Sequence, residues 1–206
     1  MGVDLNLYGG DALLLVDIQN DFIDGSLAVP YAKHILPTVT YWIKRFWAED
    51  LPVFATRDMH PEDHCSFKEY GGLWVPHCII GTVGSLMHDS ILELERKLSN
   101  FEIERYDKGT KSNKDSYSGF NIQSSEPYGE DARSALDEGL RERDVSSLVV
   151  CGLATDYCVK ATVIDAIEFG DYPVTVLQHG IAGVGIKPED IPMALGEMIH
   201  HGATII

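Results

Sequence analysis

With 206 residues, 45% of them hydrophobic, the chain has enough apolar material to fill a sizeable core, and its length suits one domain spanning 1–206. Acidic side chains number 32 against 16 basic ones, and the resulting net charge of −16 repels phosphate backbones and anionic lipid surfaces, so nucleic acid is excluded as a partner. No stretch approaches the roughly 20 uninterrupted apolar residues that cross a bilayer, and the amino end has neither a basic nor a long apolar region, so neither a membrane span nor export is expected.

In chain order, Ala12 to Val16 is a continuous apolar run suited to a buried strand, and it ends on Asp17 in Leu13-Leu-Leu-Val-Asp17-Ile-Gln-Asn-Asp-Phe22. A carboxylate where a buried strand leaves the sheet is either a cap or a general base whose pKa its apolar surroundings raise. Asp21 and Asp24, beside Gly25, read as turn residues. Val39, Ile43 and Phe46 then follow helical spacing, and Val53 to Thr56 forms a second strand-like run. Asp58-Met-His60 stands at its end, and His77 follows the Gly71-Gly72 loop in Trp74-Val-Pro-His77-Cys78. Two imidazoles and one carboxylate make a three-ligand site with open positions, suited to Zn, Fe or Mn, although Asp-x-His spacing alone is a weak signal. His64 is either a fourth ligand or a neighbour behind the ligands. Cys65 and Cys78 are soft ligands or, more simply, packing residues.

Ser85 to Asn100 is weakly helical, and Phe101 to Tyr106 alternates like a strand before Lys108-Gly109. Gly109 permits a sharp turn that could aim the Lys108 ammonium back toward the strand ends, whereas Lys111 and Lys114 read as solvated surface charges. A polar run from Gly109 to Ser125 reads as a long loop. Leu148 to Gly152 is the next apolar strand, with Cys151 inside it as core. In Gly152-Leu-Ala-Thr-Asp-Tyr-Cys158-Val an amphipathic helix begins at about Tyr157 and continues through Val159, Val163 and Ile167. A thiol in a first helical turn feels the positive end of the dipole and lies beside unpaired N–H groups, both of which favour thiolate; the alternative is a buried, inert cysteine. Val174 to Leu177, a helical stripe of Ile191, Leu195 and Ile199, and a short strand at Ala203 to Ile206 complete the chain.

This alternation predicts an α/β fold of three layers, α/β/α, with a mostly parallel six-stranded sheet and right-handed crossovers. Ligand sites in such sheets lie outside the carboxyl ends of the strands, and four of those ends carry Asp17, the Asp58/His60 pair, Lys108 and the Ala154 to Cys158 turn. The four cysteines form no CxxC pair, so reduced thiols in the cytoplasm are the simpler reading.

Together the segments Val16 to Phe22, Thr56-Arg-Asp58-Met-His60-Pro, Trp74 to Cys78, Lys108-Gly-Thr, Asp115-Ser-Tyr117-Ser-Gly-Phe120 and Gly152 to Val159 resemble the nicotinamidase/pyrazinamidase branch of the isochorismatase-like cysteine hydrolases. The resemblance runs in family order from near residue 12 to the carboxyl end. It implies an isochorismatase-like hydrolase fold, a catalytic triad of Asp17, Lys108 and Cys158, and an oxyanion hole from the Ala154 and Cys158 amides beyond a cis Leu153-Ala154 bond. It also implies one divalent metal, Zn foremost, on Asp58, His60 and His77, and aromatic substrate contacts from Phe22, Trp74 and Tyr117. The implied activity is metal-dependent hydrolysis of a small carboxamide such as nicotinamide, serving NAD salvage. Other branches of the superfamily act on isochorismate or N-carbamoyl amines, and the Asp58, His60, His77 set argues against them. A homo-oligomer is an expectation of chain size alone. The polar segment from Asn121 to Asp131 matches no motif.

Overall fold

The computed structural model describes residues 5–120 and 134–206. The unassigned Asn121 to Asp131 segment and the end of the polar run that starts at Gly109 lie outside the described residues.

Among the described residues six strands and six α-helices follow in the order β1 (Asp11–Val16), α1 (Asn20–Ile23), α2 (Ala32–Ala48), β2 (Val53–Asp58), α3 (Asp89–Lys97), β3 (Ile103–Lys108), α4 (Ala135–Glu142), β4 (Ser147–Leu153), α5 (Lys160–Glu168), β5 (Val174–Ala182), α6 (Asp190–His200) and β6 (Thr204–Ile205). The strands are ordered β3-β2-β1-β4-β5-β6 in one sheet, and all five pairings are parallel, so the sheet is parallel throughout its described extent. The chain winds outward from β1 to β3, then returns to the other side of β1 to lay down β4, β5 and β6. The strand order therefore reverses between β1 and β4, which creates a crevice at their carboxyl ends.

Period-two alternation sorts the apolar runs onto both faces. Leu13, Leu15, Val53, Ala55, Val149 and Cys151 point into a core shared with Ile35, Val39, Trp42, Ile43 and Phe46 of α2 and with Ile91 and Leu94 of α3. Ala12, Leu14, Val16, Phe54, Leu148 and Val150 point the other way, onto Leu136 and Leu140 of α4, Val163 and Ala166 of α5 and Met198 of α6. Because helices cover both faces, the strands read as unbroken apolar runs.

Three expectations are corrected. On α6 the buried stripe is Ala194 and Met198 with Leu195 and Ile191 half-buried, while Ile199 is 56% exposed; the helix is rotated so that its Ala194/Met198 side, not its Ile199 side, faces the sheet. The alternating strand before Lys108 runs from Ile103 to Lys108, two residues later than its pattern suggested, because as an edge strand it buries only Ile103 and Lys108 at its ends. The helix expected at about Tyr157 begins instead as one wide π-helical turn, Thr155–Val159, and becomes regular only at Lys160. Among the described residues no helix is long and apolar enough to cross a membrane.

Candidate active site

Asp17, Asp58 and Lys108 sit where strands end, and Cys158 in the turn that follows β4. Asp17 follows β1 with φ of 51°, a left-handed backbone that turns its carboxylate off the strand line, and the side chain is fully buried. Thr56 Oγ1 on neighbouring β2 donates to Asp17 Oδ1 at 2.7 Å. Asp58 closes β2, and Lys108 closes β3 directly alongside it in register. Lys108, 2% exposed, places Nζ 2.9 Å from Asp17 Oδ2, 2.5 Å from Asp58 Oδ1 and 3.3 Å from Cys158 Sγ, and also donates to the Ser116 carbonyl at 3.3 Å. Oxygens of Asp17 and Asp58 and the sulfur of Cys158 all lie within 4.8 Å of one another. The structure thus brings Asp17, Lys108 and Cys158 together from three strand ends of one rim.

The electrostatics follow from burying two carboxylates, one amine and one thiol together. Burial pushes Asp17 up from its ordinary 3.8, and the Lys108 cation only partly opposes this. Asp58 feels the same burial, but Lys108 and the His60 hydrogen bond outweigh it and hold its carboxyl well below the usual range. Burial would neutralise Lys108, yet Asp17 and Asp58 reverse the sign and keep it an ammonium. For Cys158 burial dominates over Lys108 and drives its pKa well above 9.0. Of the two readings the sequence left open for Cys158, the local features that favour thiolate do not decide its state, because desolvation of the buried sulfur outweighs the cation beside it. A thiol in this state needs a base, and the Asp17 carboxylate is the group beside it.

Asp58 also faces a second cluster. Asp58, His60 and His77 are buried, with ligand-type atoms within 4.8 Å of one another. His60 Nδ1 lies 2.8 Å from the Gly109 carbonyl and His77 Nδ1 lies 2.8 Å from the Val75 carbonyl. A carbonyl can only accept, so each Nδ1 carries a proton and each Nε2 faces Asp58 Oδ2, at 3.5 and 4.0 Å, where it would offer a cation its lone pair once the ring is neutral. Two such lone pairs and a carboxylate oxygen fit a divalent cation. His64 stacks on His60 at 4.0 Å, but its Nδ1 meets Ser66 Oγ and its Nε2 meets the Lys114 carbonyl, so it backs the cluster and is not a member of it. Cys78 and Cys151 are core residues and Cys65 is half-buried; all four cysteines are free. Asp21, expected as a turn residue, bolts two segments: its carboxylate accepts from the Ser26 and Cys78 amides.

Gly109 has φ of +64°, and a Cβ there would stand 2.4 Å from His60 Cε1. Gly109→Ala is therefore expected to cost about 1–2 kcal/mol from the left-handed backbone alone, with the ring displacement added. A urea midpoint equal to that of the unaltered protein would show that neither constraint acts.

Cys158 and the Asp58 and His77 side of the second cluster share one cleft, lined by Phe22, Leu27, Val29, Asp58, Trp74, His77, Tyr117, Ala154, Tyr157, Cys158 and Val184. Phe22 sits 5.4 Å from the His77 ring, and Trp74 Nε1 donates to the Tyr117 hydroxyl at 3.2 Å. The sequence reading did not single out Tyr157, Leu27, Val29 or Val184, which nothing in their local pattern distinguishes from packing. It also missed Gln19, whose buried amide donates to the Asp58 and Ser85 carbonyls and accepts from the Asp58 amide, tying the end of β1 to that of β2. Its signal was available: a polar residue two places after Asp17, inside an apolar segment. The Leu153-Ala154 peptide is cis.

Comparison with known proteins gives consistent matches. The isochorismatase domain family matches residues 11–206. A nicotinamidase of Escherichia coli is 36% identical, over 94% of this chain and 93% of that one. The zinc complex of a pyrazinamidase from Pyrococcus horikoshii is 34% identical with a TM-score of 0.78, covering 96% of this chain and 98% of that one. PnC1 from L. infantum, in complex with nicotinate, has a TM-score of 0.81 at 26% identity, over 99% and 96% of the two chains.

Proposed function

The chain belongs to the isochorismatase family, and we propose that it is a nicotinamidase, hydrolysing nicotinamide to nicotinic acid and ammonia in NAD salvage and accepting pyrazinamide by the same chemistry. One observation carries this reading: Lys108 Nζ stands 2.9 Å from Asp17 and 3.3 Å from Cys158 Sγ inside a cleft walled by aromatic rings. Nicotinamidases and pyrazinamidases among its relatives support the substrate class. The four unbridged cysteines suit a reducing cytoplasm.

In the proposed reaction Asp17 takes the Cys158 proton, with Lys108 stabilising the charges that result, and the sulfur attacks the carboxamide carbon. The Ala154 and Cys158 amides receive the developing oxyanion, where one such donor is worth about 2.7–4 kcal/mol. Asp17 passes the proton to the departing ammonia, the C–N bond breaks and a thioester remains. Asp17 then accepts a proton from water as its oxygen attacks the thioester, and the thiol is restored as nicotinic acid leaves. Phe22, Trp74 and Tyr117 hold the flat ring. Asp58, His60 and His77 would hold one divalent cation, zinc foremost, which supplies an open coordination position that orients an azine nitrogen.

The test is a coupled ammonia assay across nicotinamide, pyrazinamide and N-carbamoyl amines, run with metal analysis of the same sample. Turnover confined to N-carbamoyl amines would overturn the reading. Chelation is expected to raise KM by about tenfold or more, as loss of an orienting contact does, with little change in the melting temperature. A melt that collapses on chelation would make the cation a structural element instead.

A further inference from the structure

Cys158 lies in the π turn that opens the helical segment after β4, Thr162 and Asp165 lie three residues apart on one side of α5 behind it, and all three are buried. The reaction above uses only the first. The other two face residues 115–120, a loop that supplies two parts of the site: the Tyr117 side chain in the cleft and the Ser116 carbonyl that accepts from Lys108. The Gly119 amide donates to Thr162 Oγ1 at 3.1 Å, and the Ser118 hydroxyl hydrogen-bonds with the Asp165 carboxylate. A Cβ on Gly119 would lie 2.6 Å from Thr56 Cγ2, so the loop backbone is pressed against the threonine that holds Asp17. Trp74 Nε1 then bonds to the Tyr117 hydroxyl and closes the wall.

The geometry points to Thr162 as a positioning residue that sets the distance between the nucleophile and the aromatic wall, because one helix carries the sulfur and grips the loop that bears Tyr117. Thr162 never touches substrate; it acts through Gly119 and Tyr117, and so on ring binding more than on the chemical step. The inference rests on the nicotinamidase reading for its kinetic part and on the loop contact for its structural part.

The experiment is Thr162→Val in the metal-loaded protein, with Thr162→Ser as the conservative variant. The valine keeps the shape and strands the Gly119 amide, so KM for nicotinamide is expected to rise about tenfold while kcat changes less than about threefold. Amide hydrogen exchange in peptides covering 115–120 is expected to quicken, and serine to restore both quantities. Unchanged exchange and unchanged KM in the valine variant overturn the proposal. So does a fall in kcat and in melting temperature that serine does not rescue, since that marks a merely structural side chain. If the valine variant loses its cooperative melt, Ser118→Ala removes the neighbouring Ser118–Asp165 contact between the same loop and helix and is read by the same two measurements. Absence of nicotinamide turnover in the unaltered protein defeats the substrate reading alone and leaves the exchange measurement to decide the loop contact.

Discussion

Replacing Cys158 by alanine is expected to abolish ammonia release, with kcat falling by about 10⁴- to 10⁶-fold, the scale on which removal of a covalent nucleophile acts. The fold should survive. Cys158 is 6% exposed and its sulfur hydrogen-bonds with Asp17 and with Lys108 Nζ at 3.3 Å, and Lys108 keeps Asp17, Asp58 and the Ser116 carbonyl when the sulfur goes. Bound metal should also persist, because Asp58, His60 and His77 are untouched. Ammonia release by the pure variant at a rate near that of the unaltered enzyme would refute Cys158 as nucleophile. The raised thiol pKa adds a corollary: iodoacetamide should label the free protein slowly at neutral pH, unlike a standing thiolate.

Lys108→Met is expected to be the most damaging single change to stability as well as to catalysis. The ammonium is the cation shared by two buried carboxylates, at 2.9 and 2.5 Å. Removing one partner from a buried ionic network costs about 3–5 kcal/mol, because the remaining charges lose their compensation. Its pH dependence has a definite sign. Asp17 already has a folded pKa above its ordinary 3.8, and without the cation burial drives it higher. A raised folded pKa means that the native state retains a proton the unfolded chain sheds, so stability is fully present below about 3.8 and declines as pH climbs through the folded value. The deficit of the metal-free variant relative to the metal-free parent should therefore widen from mildly acidic to mildly alkaline pH in urea melts. A deficit that narrowed over that interval would mean that Lys108 does not neutralise Asp17.

Much of the architecture was legible in the chain. The runs at Ala12 to Val16, Val53 to Thr56 and Leu148 to Gly152 are apolar on both of their faces, and in a chain that alternates them with helical stripes this has one economical solution, a parallel sheet covered on both sides. The edge elements were harder to read. β3 buries only its end residues, so its pattern carried too little signal to set its bounds, and α4 was not expected because its eight residues bury just one flank. On α6, Ile199 fitted the spacing yet faces solvent, since two stripes of that helix are apolar and only packing decides between them.

For the site, the residue types and their places at strand ends could be read from the linear order, because a parallel sheet delivers every carboxyl end to one rim. Which of them touch could not be read. The Asp17, Lys108 and Cys158 contacts arise from the strand order, which sets β1 between β2 and β4 and sends β3 to the outside. Contacts between segments 50 residues apart, such as Lys108 with Asp58 or with Cys158, leave no trace in local periodicity. The protonation state of the thiol was likewise decided by tertiary structure: helix-end and lysine effects belong to the sequence, but desolvation exists only once the surrounding elements have closed over the sulfur.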